Sequence, residues 1–288
     1  MQKKISSIQS NLSGFNAIAA LAAKKTEPFT DDNLELNFQD CTHFDANMAA
    51  PLYAALTNYH VNSVLAINIR QEIRTILKKN GFLGELGVVH RVEADQTILP
   101  FWRFNRNDGV AFAGYLQHFM KGRGIPNMSA SLTKRFLQSL FEIFQNAAMH
   151  SDSKSGIFVC GQFSPTMHRL DFTIADAGIG IRENVRRHLN IPINSCAAIA
   201  WAVQAGHTTR TTKQPGGLGL KLLKDFIHIN QGKIQIVSRY GFHEIAHTEA
   251  PFHKLDYDFP GTCVNIEINT NDTRNYVLKS EIKSSDIF

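Results

Sequence analysis

Apolar residues recur along this chain with two periods, and each change of period marks a new element. Alternation predicts half-buried strands at Leu34-Glu-Leu-Asn-Phe38 and Leu170-Asp-Phe-Thr-Ile-Ala175, and the run Val64-Leu-Ala-Ile-Asn-Ile69 predicts a buried one. Residues 156–163 pair with the second of these as a hairpin around Ser164-Pro165, and residues 234–238 begin the last sheet segment. Helical spacing predicts helices over 49–59, 71–79 (stopped by Asn80-Gly81), 112–121, 196–204 and 218–229. A further helix, 136–150, carries two stripes. Leu137, Phe141, Phe144 and Ala148 fall at i, i+4, i+7 and i+11, an apolar stripe at helical period. Glu142, Asn146 and His150 follow one another at i, i+4 and i+8 on the opposite side, spread over roughly 12 Å. By themselves these three polar residues also suit a solvated helix face.

Strands alternating with helices in the first third imply a small α/β layer. Ile98-Leu-Pro-Phe-Trp-Arg-Phe104 is dense in aromatics and reads as core or interdomain packing, and Gly122-Arg-Gly-Ile-Pro126 as a turn at a boundary. The organisation expected is α/β throughout, with a domain at 1–85, a connector at 86–125, a second domain at 126–270 and a loosely attached polar tail at 271–288.

Two glycine clusters add chemistry to the 136–150 helix. Asp176-Ala-Gly178-Ile-Gly180 follows directly on the 170–175 strand, so a carboxylate stands at a strand end where the backbone turns sharply or lets a ligand approach. Gly216-Gly217-Leu218-Gly219-Leu220 follows Pro215 and opens the 218–229 helix, whose first N–H groups and dipole favour an anion. Neither the P-loop nor the dinucleotide fingerprint is present.

Taken together, Glu142-x-x-x-Asn146-Ala-x-x-His150, Asp176-x-Gly178-x-Gly180 and Gly217-x-Gly219-Leu220 resemble the N, G1 and G2 boxes of the GHKL ATPases. The first box is most similar to that of anti-sigma-factor serine kinases, and Pro260-Gly-Thr262 resembles the closing Gly-Thr strand of the family. The resemblance covers about half the chain and implies a Bergerat-fold α/β sandwich, a mixed sheet under helices, that binds ATP with Mg²⁺. Asp176 is then expected to accept a hydrogen bond from the adenine amino group with Thr262 nearby, and Asn146 to hold Mg²⁺. Gly216, Gly217, Leu218, Gly219 and Leu220 are expected to offer backbone N–H groups to phosphate, with His150 and Lys213 as secondary phosphate contacts. Glu142 is expected to activate the nucleophile, which is water in an ATPase and a protein hydroxyl in a kinase. The polar run from His207 to Lys213 corresponds to the family's nucleotide lid; a solvated turn reads equally well.

The order of elements in the first third, with His43-Phe-Asp-Ala46 before one helix, resembles a STAS domain. Ala46 occupies the place where those antagonists carry a phosphorylated serine, so a phosphosite is not expected there. The bland alternative is an unrelated α/β cap.

Composition changes this picture little. At 288 residues, 43% hydrophobic and 19% charged, the chain is an ordinary globular protein, and its net charge of +5 suits an anionic ligand without indicating nucleic acid. Cys41, Cys160, Cys196 and Cys263 form no metal-type pair, and reduced thiols in a cytoplasm are the simplest reading. No membrane span is expected; Lys3-Lys4 and the run at 15–23 resemble a signal sequence faintly, with a polar stretch between them. His243, His247 and His253 lack zinc-protease spacing and suit a polar loop or hairpin. The partners expected are ATP and a protein partner or a second copy. A regulatory switch that binds ATP without turnover is the alternative to an enzyme.

Overall fold

The computed structural model describes residues 1–23, 33–59, 61–88, 96–204, 206–207, 218–248 and 250–282. In chain order the elements are β1 (Gln2–Lys4), α1 (Leu12–Ala22), β2 (Asn33–Asn37), α2 (Ala49–Leu56), β3 (Ser63–Ile67), α3 (Gln71–Lys79), α4 (Phe82–Glu85), β4 (Ile98–Phe104), α5 (Gly109–Phe119), α6 (Ala130–His150), β5 (Ile157–Ser164), β6 (Arg169–Asp176), α7 (Gly180–Leu189), α8 (Ser195–Ala202), α9 (Leu218–Asn230), β7 (Lys233–Ile245) and β8 (His253–Asn269). The fold is α/β, with a parallel three-stranded sheet β1-β2-β3 and a five-stranded sheet ordered β4-β5-β6-β8-β7. Among the described residues, no helix is long and apolar enough to cross a membrane.

Every neighbouring pair in the larger sheet is antiparallel, which corrects the expectation of a mixed sheet. The connection from β6 through α7, α8 and α9 does return the chain as a strand running in the β6 direction. The β7–β8 hairpin then inserts β8 between the two, so each strand has only antiparallel neighbours.

Strand alternation divides this sheet between two apolar clusters. Ile157, Val159, Leu170, Phe172, Ile174, Ile234, Ile236, Ile266 and Ile268 face α5, α6 and α9. Phe158, Cys160, Ala175, Val237 and Cys263 face the opposite way, into a cluster with α1, α2 and the parallel sheet. The run at 15–23 belongs to α1, whose Phe15, Ile18, Ala19 and Ala22 are buried there.

The polar residues on that second face are buried too. Asn47, just before α2, donates to Thr173 of β6 at 3.1 Å and to Asn265 of β8 at 3.0 Å, and Gln235 of β7 donates to the Ser10 carbonyl at 2.9 Å. Arg169 donates to Asp45 at 2.7 Å, lies 3.1 Å from Asp171, and is 4.0 Å from Glu267, which pairs with Lys233 at 3.1 Å. The N-terminal layer is therefore seated on the larger sheet by a hydrogen-bonded polar network as well as by apolar contact.

The segment expected as a connector is built into the sheet. β4 is its edge strand, and an irregularity between Leu99 and Trp102 turns Leu99 and Phe101 into different clusters. Phe101 meets Tyr53 of α2 at 5.2 Å between ring centroids, and Phe104 meets Phe112 and Phe144 at 5.5 and 5.8 Å. The segment after β8, expected as a loose tail, is anchored at Tyr276 and Glu281. Tyr276 is buried against Phe226 and bridges to Met128, and Ser129 donates to Glu281 at 2.5 Å.

Candidate functional site

Helix α6 begins earlier than its apolar stripe suggests, because Ser129 caps it by accepting from the Leu132 amide at 3.1 Å. Its buried stripe is Leu132, Phe136, Leu140 and Phe144; of the expected Leu137, Phe141, Phe144 and Ala148, only Phe144 is fully buried. The stripe is rotated because α6 packs on α9 through Phe136–Phe226 (5.3 Å) and on α5 through Phe112–Phe144 (4.2 Å), with Phe141 left at the α5 edge. Glu142, Asn146 and His150 line a partly open cavity of about 200 Å³ whose walls come from α6, α7, α8, α9 and the sheet.

The strand-end carboxylate lies in the same cavity. Asp176 closes β6, is 3% exposed, and accepts from the Gly178 amide at 2.9 Å and the Thr262 amide at 3.3 Å, both at Oδ1. Burial pushes its carboxyl up to about 7, against the pull of those two amides. The glycines around it serve packing. A Cβ on Gly178 would lie 1.8 Å from the Ser151 carbonyl oxygen at the end of α6, where the Ile179 amide already donates to that oxygen at 2.7 Å. Gly180 opens α7 at φ +78°. Gly261, at φ +81°, presses on Asp176 so closely that a Cβ would lie 2.5 Å from its Oδ1.

Thr262 sits on β8 opposite Asp176, within 3.1 Å of Ser238 on β7, and Ser238 accepts from the Ile181 amide at 2.8 Å. These bonds fix β6, β7, β8 and the start of α7 around the carboxylate.

Leu220 of α9 lines the cavity beside Ile143 and Glu142. The two helices run antiparallel: Phe226 meets Phe136, and Tyr276 ties the far end of α9 to Met128 before α6. Leu220 is six residues before Phe226 and Glu142 six after Phe136, so the first turn of α9 lies beside Glu142. The other end of the α6 stripe adjoins Asp176, since Asn184 of α7 donates to the His150 carbonyl at 2.8 Å and Ser151 underlies Gly178. The cavity thus has an Asp176–Thr262 end, which includes His150, and a Glu142–Leu220 end.

Glu142, Asn146, His150, Asp176, Gly180, Leu220 and Thr262 converge here, while Gly178 packs beneath. Lys213, Gly216 and Gly217 lie outside the described residues; Leu218 and Gly219 form the first turn of α9. The residues that sequence pattern missed are Asn184, Trp201 and Ser238; His207 and Gly261 lie in the expected lid run and Gly-Thr motif, but the pattern gives them no contact of their own. Asn184 spends both amide hydrogens on the His150 and Gly180 carbonyls, which orients Oδ1 as an acceptor. A helix reading of 180–189, with Val185 as its buried residue, would have placed Asn184 beside it.

Among the described residues, no group of three or more His, Cys, Asp or Glu side chains holds a metal ion by itself. His243 stacks on Phe252 within the β7–β8 hairpin, whereas His247 stacks on His228 of α9. A divalent ion in the cavity has one exposed carboxamide, Asn146, and one carboxylate a turn away, Glu142. That oxygen set fits Mg²⁺ only in company with ligand oxygens.

What fold and site together define is an α/β protein with a buried carboxylate at one end of a cavity and a carboxylate–carboxamide pair along its wall. The sequence matches no family model and no curated protein.

Proposed function

We propose that the chain is a GHKL-type protein of the Bergerat fold that binds Mg-ATP in this cavity and transfers its γ-phosphoryl group with Glu142 as general base. The observation that carries the reading is the convergence of Glu142, Asn146, Asp176, Leu220 and Thr262 on one cavity from four separate elements. The order along the cavity suits a nucleotide lying lengthwise. Asp176 accepts from the adenine amino group with Thr262 beside it, a buried recognition that leaves a polar group unpaired when the base is wrong. At the other end the first turn of α9 favours phosphate through its N–H groups and dipole. By the same resemblance Gly216, Gly217, Leu218, Gly219 and Lys213 would add phosphate contacts; His150 stands on the Asp176 side of Asn146. Asn146 would hold Mg²⁺ jointly with phosphate oxygens, and the ion supplies charge neutralisation on the triphosphate.

Glu142 takes the proton of the attacking hydroxyl; its oxygen bonds to the γ-phosphorus as the bond to the ADP oxygen breaks. The acceptor is water or a Ser/Thr hydroxyl of a protein partner. Ala46, the position that resembles the STAS phosphoserine, is no acceptor: it has no hydroxyl and is fully buried, its amide donating to Gln162 at 3.1 Å.

The test uses ATP labelled at the γ-phosphate, with wild type and Glu142→Ala. Loss of a general base costs a factor of about 10² to 10⁴ in rate while nucleotide affinity is retained. Free labelled phosphate identifies an ATPase, and label on a Ser or Thr of a co-purified protein identifies a kinase. If wild type yields neither while ATP still changes its grip on a partner, the enzyme reading fails and a non-catalytic switch replaces it.

A further inference from the structure

Trp201 and His207 belong to neither glycine cluster, yet both line the cavity. His207 is held twice. Its ring packs at a tilt on Trp201, 4.7 Å between centroids and 30° between planes, and its Nδ1 lies 2.9 Å from the Trp201 carbonyl oxygen. A carbonyl only accepts, so Nδ1 carries the hydrogen of that bond, and Nε2 is the nitrogen left to meet a ligand. Trp201 is itself braced by His188 of α7 at 5.5 Å. The residue that ends α8 is tied to α9, since Lys224 donates to the Val203 carbonyl at 3.3 Å, one turn beyond Leu220. His207 therefore lies on the Leu220 side of the cavity, where α9 begins and Glu142 stands.

We infer that His207, braced by Trp201, is a binding residue for the phosphate chain of the nucleotide, its doubly protonated ring donating to phosphate through Nε2 while Nδ1 donates to the Trp201 carbonyl, and that Trp201 is its positioning residue. The inference rests on the reading of the cavity as a nucleotide site and adds to it a phosphate ligand from the α8 side. Ring packing and the carbonyl bond pre-orient the imidazole, so little side-chain freedom is lost when the ligand arrives.

The experiment is equilibrium binding of ATP, ADP and adenosine to the full chain by calorimetry, for wild type, His207→Ala and Trp201→Ala, with circular dichroism to confirm folding. His207→Ala is expected to weaken ATP about tenfold or more, the value of one hydrogen bond to a charged group. Adenosine affinity is expected to stay within about twofold, since no phosphate is present to lose that bond. Trp201→Ala is expected to reproduce the ATP-selective loss by releasing the imidazole. The chain has two tryptophans, and Trp102 lies on edge strand β4, so Trp102→Phe leaves Trp201 as the sole reporter; its emission is expected to change on ATP binding. ATP affinity within twofold of wild type in His207→Ala, or adenosine weakened in step with ATP, overturns this inference alone. Wild-type protein that binds none of the three ligands overturns the nucleotide reading and this inference with it.

Discussion

Burial lifts the Asp176 carboxyl to about 7, although the Gly178 and Thr262 amides pull it down. An unfolded aspartate ionises near ~3.9. Between those values the native state binds the extra proton, so the contribution of Asp176 to stability declines as pH rises from about 4 to 7 and is level above that. A ligand that donates a hydrogen bond to this carboxylate recovers part of that cost and favours the ionised form. Adenosine, which has no phosphate to titrate, is therefore expected to bind up to about tenfold more tightly at pH 8 than at pH 6. Affinity that is flat across that range would remove Asp176 from base recognition. Asp176→Asn keeps the shape and the volume, and is expected to abolish adenosine and ATP binding while the thermal melt still shows a cooperative transition.

At the scale of elements, the contact between the end of α6 and the start of α7 holds the site in register. Ser151 accepts from the Ile179 amide, and Gly178 lies against the same carbonyl with no room for a methyl group. Gly178→Ala must move backbone against backbone and is expected to destabilise the protein by about 2–3 kcal/mol, in the range of overpacked cores. It is also expected to displace Asp176 relative to the α6 stripe, so nucleotide affinity falls even below the melting range. Gly178 is not among the glycines at positive φ, so its substitution reads the crowding against Ser151 and not left-handed strain. A Gly178→Ala variant as stable as wild type by chemical denaturation would show that the Ser151 contact yields without cost.

The whole molecule shares one sheet between two layers, which bears on how it can be divided. A fragment of residues 126–270 would lose edge strand β4 and uncover Phe158, Phe242, Phe259 and the polar residues of the second face. Such a fragment is expected to aggregate or remain unfolded, and a soluble, cooperatively melting 126–270 would mean that the N-terminal layer is dispensable. The polar network has its own pH signature. Asp45, Asp171 and Glu267 share Arg169 and Lys233, and buried Asp171 is driven up to about 7 by desolvation, with Arg169 opposing and Glu267 and Asp45 adding to the rise. Its folded value again exceeds the unfolded one, so its contribution to stability shrinks as pH climbs from about 4 to 7. Asp171→Asn is expected to flatten that dependence, a difference on the order of 3 kcal/mol across the window. Denaturation midpoints of the two proteins that run parallel from pH 4.5 to 8 would place the proton elsewhere.

Local pattern determined a good part of this protein. The strands expected at 34–38 and 170–175, the helix over 71–79 with Gly81 left-handed after it, and the hairpin of β5 and β6 were legible because each depends on a period or a stop signal within its own span. The run at 64–69, expected as a buried strand, forms β3 only as far as Ile67 and is half-buried with Leu65 exposed. The i, i+4, i+8 spacing of Glu142, Asn146 and His150 likewise fixes a common face on any helix, and they share one. Tertiary structure alone decided which face that was, because the buried stripe of α6 is set by its packing on α5 and α9 and not by α6 itself. It also decided the pairing of β8 between β6 and β7, which depends on where a hairpin of β7 and β8 docks. The alternation of Asp171 and Thr173 with apolar neighbours predicts a wet face; here the N-terminal layer covers it, and Asn47, from more than a hundred residues away, supplies the hydrogen bonds that water would have made. His207 and Trp201 have no spacing relation to Glu142 or Asp176, so only the packing of α8 against α7 and β7 brings them to the same cavity.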